Sequence, residues 1–210
     1  MDEEAPRKPQ VRLSGLAGII LAAGASSRMG TDKALLEFPG NAENFLSAQI
    51  ASLRPHCEIV LVVAGRNAAA LKPDTYRLAA DLIINPDPDR GQFSSLQVGL
   101  QEVLNRGRDL ALITHVDRMP PRSQTINAIK DAFGTRGRET WMVVPEYNGA
   151  HGHPVLAGRE MIEAWLRAPV TSTAREVEHA HQQRIAYVAV DDADLVANIN
   201  TPEEYERLKR

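Results

Sequence analysis

Continuous apolar runs alternate along this chain with stretches whose apolar residues recur every three or four positions. Leu16 to Leu21 is the first such run, ending in Ala22-Ala23-Gly24, and Ile59 to Val63, Leu82 to Ile84, Leu110 to Ile113 and Trp141 to Val144 repeat the pattern. A short run with no polar alternation predicts a strand buried on both faces, as in parallel sheets. Between the runs, Phe45 to Leu53, Phe93 to Leu104 and Ile126 to Phe133 carry their apolar residues at helical spacing. Strands alternating with helices predict an α/β fold: a three-layer sandwich of a mostly parallel, twisted sheet with helices on both faces. Such sheets bind ligands beyond the carboxyl ends of the strands, where the crossover direction reverses. The loops after Leu21, Val63, Ile84 and Ile113 are therefore the places to look.

Beyond Met142 the alternation weakens. Residues 145–152 read as a loop, His153 to Leu156 as a short strand, Met161 to Leu166 and Ala174 to Ala180 as helices, and Ile185 to Val190 as a strand. Thr201 as N-cap, Pro202 at the first helical position and Glu203-Glu204 in the first turn predict a closing helix over 202–209. Met1 to Gln10 is charged and proline-containing, with too little apolar surface to offset the entropy of ordering. Residues 1–11 are thus expected to form a disordered tail and 12–210 a single domain.

Charge and cysteine content remove some functions. With 24 basic against 27 acidic residues and a net charge of −3, no broad positive field exists to hold a nucleic-acid backbone. The apolar stretch Leu16 to Ala25 is too short and glycine-interrupted for a membrane span or a signal peptide. A lone Cys57 makes neither an internal disulfide nor a cysteine zinc site, which fits a reducing compartment. A cytoplasmic protein is expected, with partners that are neither nucleic acid nor membrane.

The chemistry concentrates in the first loop, Leu21-Ala22-Ala23-Gly24-Ala25-Ser26-Ser27-Arg28-Met29-Gly30-Thr31-Asp32-Lys33. It has neither the Walker spacing nor the three-glycine dinucleotide fingerprint. What it has is a run of small residues after a buried strand, with hydroxyls and two cations. Gly24 permits close backbone approach, so successive N–H groups can face phosphate oxygens. Arg28 can fork two oxygens, and Lys33 offers a movable point charge. By itself, a solvated glycine-serine turn with surface cations accounts for the same letters.

The full run Leu21 to Leu36 closely resembles the signature of the molybdenum cofactor nucleotidyltransferases (MobA-like NTP transferases), within the wider nucleotide-diphospho-sugar transferase-like, Rossmann-like group. Later landmarks extend the resemblance over nearly the whole chain after the tail. Gly91-x-x-Ser94-Ser95-Leu96 looks like the family's glycine-serine helix start, Gly152-His153-Pro154 matches a segment of the cytidylyltransferase branch, and Asn198-Ile199-Asn200-Thr201-Pro202 resembles the closing motif. Asp117 stands where family members carry a magnesium-binding aspartate, although the following proline, Pro120, comes one residue later than usual.

The resemblance implies transfer of a nucleoside monophosphate to a phosphate-bearing acceptor, with release of pyrophosphate. Arg28, Lys33 and Asp117 are the catalytic candidates, and Asp117 with Asn198 the ligands for Mg2+. Leu21, Ala22, Ala23, Gly24, Ser26, Ala64, Gly65 and Asn85 are the nucleotide-binding candidates. Ser94, Ser95 and His153 belong to the acceptor side, while His151 has no claim beyond proximity. Ala23 favours CTP, because the guanylyl branch tends to carry glycine there; the closing asparagines point the other way. Molybdopterin is the expected acceptor, with a molybdoenzyme or its chaperone receiving the product. Open alternatives are a guanylyltransferase, transfer to a sugar or polyol phosphate, and a non-catalytic nucleotide-binding module.

Overall fold

The computed structural model describes residues 13–24, 32–38, 44–197 and 201–208. The tail 1–11 and the site candidates Ser26, Arg28 and Asn198 lie outside the described residues. The strands are β1 (Leu16–Leu21), β2 (Ile59–Ala64), β3 (Asp81–Ile84), β4 (Leu110–His115), β5 (Met142–Tyr147), β6 (Ala150–His151), β7 (Val155–Gly158) and β8 (Ile185–Ala189). They form an eight-stranded sheet in the order β3-β2-β1-β4-β7-β5-β6, with β8 pairing β5. β3, β2, β1 and β4 are mutually parallel, and so are β5 and β8.

β7 runs antiparallel to both β4 and β5. Only seven residues, 148–154, separate β5 from β7, too few for the dozen or so that a parallel crossover requires. The chain instead reverses at Asn148-Gly149, both with positive φ (49° and 79°), which suits a tight hairpin turn. The expected strand at 153–156 is accordingly displaced to Val155–Gly158.

Helices cover both faces of the sheet. β1 is buried along its whole length. Leu16 and Ile20 face one core, packed with Phe45, Leu46 and Ile50 of α1 (Phe45–Leu53), Leu71 of α2 (Ala68–Arg77), and Ile126 and Phe133 of α4 (Ser123–Gly134). Ala17, Ile19 and Leu21 face the other, with Leu96 and Leu100 of α3 (Gln92–Asn105), Ile162 and Trp165 of α5 (Arg159–Arg167), and Val177 of α6 (Ala174–Ala180). A closing helix, α7 (Pro202–Leu208), lays Tyr205 against the first core. α2 is not announced by periodicity, and Pro73 inside it argues against a helix; the element forms because Leu71 and Thr75 are fully buried beneath it.

The topology fixes where a ligand can sit. α1 joins β1 to β2 across one face and α3 joins β3 to β4 across the other, so the crossover direction reverses between β1 and β4. Their last residues, Leu21 and His115, are register partners. The crevice opens beyond this pair.

Candidate functional site

The sheet continues into the first loop by two backbone bonds. Ala22 N–H donates to Val63 O at 2.9 Å, and Val116 N–H donates to Leu21 O at 3.1 Å. On the far side of the loop, Asp32 caps the 3-10 turn Lys33–Leu35 by accepting from Ala34 N–H at 3.0 Å. Asn67, just after β2, ties the two arms together. Its Nδ2 donates to Ala22 O at 2.9 Å and to Asp32 Oδ2 at 2.6 Å, while its Oδ1 accepts from Gly65 N–H at 3.0 Å. One short side chain thus sets the width of the loop's base.

Two cavities meet beyond Leu21. One, of about 570 Å³, is lined by Ala23, Gly24, Asp32, Asn67, Pro88 and Ser95 among others. The second, of about 730 Å³, reaches from Asp117, Arg118 and His153 to Trp165, Arg175 and Glu178. Leu21, Gly91 and Gln92 line both, so the two are arms of one cleft. A substrate in each arm would meet over the end of β1.

Asp117 lines the larger arm, and Lys33 reaches it from the first loop. Lys33 Nζ donates to Asp117 Oδ2 at 3.5 Å, with the lysine side chain 15% and the aspartate 32% exposed. The contact joins the first loop to the fourth strand end, 84 residues away in sequence. Beside Asp117, the His115 and His153 rings meet edge to face at 4.3 Å. Burial, aided by the Arg118 charge, pushes His115 down to about 4; burial, His115 and Arg118 together push His153 down to about 3. Both are neutral imidazoles at pH 7. Gln92 Nε2 lies 2.5 Å from His115 Nδ1, and His153 Nδ1 lies 3.3 Å from Ile113 O, which fixes the proton on that nitrogen. Farther along the larger arm, burial raises the Glu178 carboxyl to about 7 against the pull of Arg175.

Several sequence candidates are internal. Asn85, 3% exposed, donates from Nδ2 to Ser94 Oγ at 2.8 Å and Ser95 Oγ at 2.9 Å, and its Oδ1 accepts from Asp87 N–H at 3.0 Å. These three side chains hold the Gly91 loop against the start of α3, with Ser95 also reaching the smaller cavity. Ala64 is fully buried, and Gly65 sits where a Cβ would come within 3.0 Å of Pro88 and 3.1 Å of Ala23 O. His151 stacks on Tyr187 at 4.2 Å and pairs with Glu146 at 3.3 Å, on the wall of a third cavity that adjoins the larger arm through Arg118, His153 and Glu178. Sequence reasoning missed Asn67, Gln92, His115, Arg118 and Glu178. The run His115-Val116-Asp117-Arg118 at a strand end was the signal available for two of them.

Among the described residues, no group of three or more His, Cys, Asp and Glu side chains could hold a metal alone. Asp117 is a single, partly exposed carboxylate opening on the cleft. That donor set fits a hard dication such as Mg2+, which takes one or two carboxylates and completes its shell with water and substrate phosphates. No helix of the described residues is long and apolar enough to cross a membrane.

The MobA-like NTP transferase domain matches 18–185 of this chain. The molybdenum cofactor cytidylyltransferase of Escherichia coli K12 is 26% identical over 199 residues, 92% of this chain and 95% of that protein. A probable molybdenum cofactor guanylyltransferase of Mycobacterium ulcerans is 28% identical over 192 residues, 89% of each. Among solved structures, Rv0371c of Mycobacterium tuberculosis superposes with a TM-score of 0.78 at 25% identity, covering 92% of this chain and 96% of that one. Rv0371c has also been solved in complex with manganese.

Proposed function

The chain belongs to the MobA-like NTP transferase family, and from that premise we propose that it transfers a cytidylyl group from CTP to a phosphate-bearing acceptor, molybdopterin or the molybdenum cofactor. The acceptor phosphate oxygen attacks the α-phosphorus, a P–O bond forms, the α–β bridging bond breaks, and pyrophosphate leaves in line. The observation that carries this reading is the two-armed cleft pivoting on Leu21, with Asp117 lining its larger arm and Lys33 paired to that carboxylate.

In this scheme the smaller arm takes the nucleotide. The Leu21–Gly24 backbone and Asn67 line the base and sugar, and Lys33, with Arg28 and Ser26, holds the triphosphate. The larger arm takes the acceptor, where Arg90, Arg118 and Arg175 complement its phosphate. Asp117, with Asn198, would hold Mg2+, and that ion supplies charge neutralisation to the reacting phosphates. No general base is required, since a phosphate monoester is already anionic near neutrality, with a second pKa of about 6. The work of the chain is positioning and charge complementarity in a partly dry cleft.

Ala23 supports CTP over GTP. It is half-buried at the wall of the smaller arm, and its methyl group occupies space that a glycine would leave to a larger base. A guanylyltransferase is the second reading, favoured by the closing asparagines Asn198 and Asn200. Incubation with molybdenum cofactor, Mg2+ and each triphosphate in turn should release pyrophosphate with CTP. Release with GTP alone selects the second reading. Release only with sugar or polyol phosphates as acceptors, or with none, overturns both.

A further inference from the structure

Gln49 is a fully buried side chain in the apolar face of α1. Its Nε2 donates to Arg118 O at 2.8 Å and to His115 O at 3.2 Å. Those two carbonyls are the ends of the four-residue turn that carries Asp117, and Arg118 N–H closes the same turn onto His115 O at 3.2 Å. A single amide therefore pins both ends of the turn, using both of its N–H bonds. The orientation follows from the partners, because an amide oxygen in that place would face two carbonyl oxygens. Its own Oε1 is buried with no hydrogen-bond partner. An apolar residue of similar volume would fill the site without that orphaned acceptor, so packing alone does not account for a glutamine here.

We propose that Gln49 is the positioning residue for the Asp117 carboxylate, holding its turn in the one arrangement that presents it both to Lys33 and to a cleft-bound divalent cation. The inference rests on the reading of Asp117 as a metal ligand. A turn at a strand end is otherwise free to move, and the lengthened path to Pro120 adds chain that something must restrain. The tether comes from α1, the helix that directly follows the first loop. The same helix, through Asn44 as its N-cap, is bonded to Asp74 of α2. The turn is thus held by the rigid helical layer and not by its own short backbone bonds alone.

The test uses the full chain and Mn2+ as probe, with binding in the presence of CTP and no acceptor read by the Mn2+ paramagnetic signal. Gln49→Met keeps volume and removes both donors; it should weaken Mn2+ binding by about tenfold, the order seen when an outer partner of a metal ligand is lost. CTP affinity measured without metal should stay within about twofold, which a general loosening of the core would not allow. Gln49→Asn, whose amide is withdrawn by one methylene, should behave alike. Asp117→Asn separates the two claims. If it leaves Mn2+ binding intact, the reading of Asp117 fails; if it weakens binding while both Gln49 variants do not, the positioning role alone fails. Loss of folding in both Gln49 variants would also overturn the proposal, since the residue would then serve the core at large.

Discussion

Lys33, in the 3-10 turn after the first loop, and Asp117, just beyond β4, reach one another across 84 residues of sequence. A preorganised charge partner lost from such a site costs on the order of 10²-fold in turnover. Lys33→Ala and Asp117→Asn are each expected to lower pyrophosphate release by about that factor, with unfolding midpoints little changed because the pair is partly exposed. Wild-type rates in both variants would remove the pair from the mechanism. At Ala23, removal of one methyl by Ala23→Gly should move the CTP/GTP preference toward GTP, read as the ratio of kcat/KM values. A methyl-sized change in a pocket is worth roughly tenfold. An unchanged ratio would show that the base is selected elsewhere. The sequence motif exposed Ala23, Lys33 and Asp117 as candidates. Gln49 and Asn67 escaped it, since a polar residue at helical spacing or in a short loop has no meaning until its distant partners are known.

Among the elements, α3 illustrates how tightly the cleft is framed. A Cβ on Gly99 would come within 2.9 Å of Val63 and 3.3 Å of Ile19, so the helix lies directly on β1 and β2. Neither contact atom belongs to a flexible side-chain end that can swing away. Gly99→Ala is expected to destabilise the fold by about 1–3 kcal/mol, the range for overpacking a filled core, and to raise KM for CTP by displacing the Gly91 loop at the helix start. Denaturant midpoints and steady-state kinetics on the same variant check both halves; wild-type stability would mean that the helix has room to slide. Strand and helix periodicity announced α3, β1 and β4 well. They did not announce α2, where Pro73 masks the pattern, or the antiparallel entry of β7, which follows from a hairpin rather than from hydrophobicity.

For the molecule as a whole, the half-buried His115 and His153 pair makes stability depend on acid. Each imidazole is held below its ordinary value of 6.5, near 4 and 3, so the fold favours the neutral forms. Their contribution is fully present above pH 6.5 and is lost as pH falls toward those lower values. Glu178 works the opposite way, its carboxyl being raised to about 7, so its protonated form stabilises at low pH and that gain is lost as pH rises toward 7. Urea midpoints should therefore fall between pH 6.5 and 4, and His153→Gln should flatten that slope. An equally steep slope in the variant would show that other groups carry the acid sensitivity.

The linear sequence determined the strand-and-helix alternation, the α/β class and the family signature in the first loop. These depend on neighbours a few positions apart, and hydrophobic periodicity and turn chemistry are written at that range. Tertiary structure alone decided that Lys33 meets Asp117, that Asn67 spans the loop, that Gln49 grips the turn 66 and 69 residues ahead, and that His115 at the end of β4 meets His153 from the segment before β7. Those contacts come from sheet order and register, in which β1 lies between β2 and β4, and long-range pairing of that kind leaves no trace in local spacing.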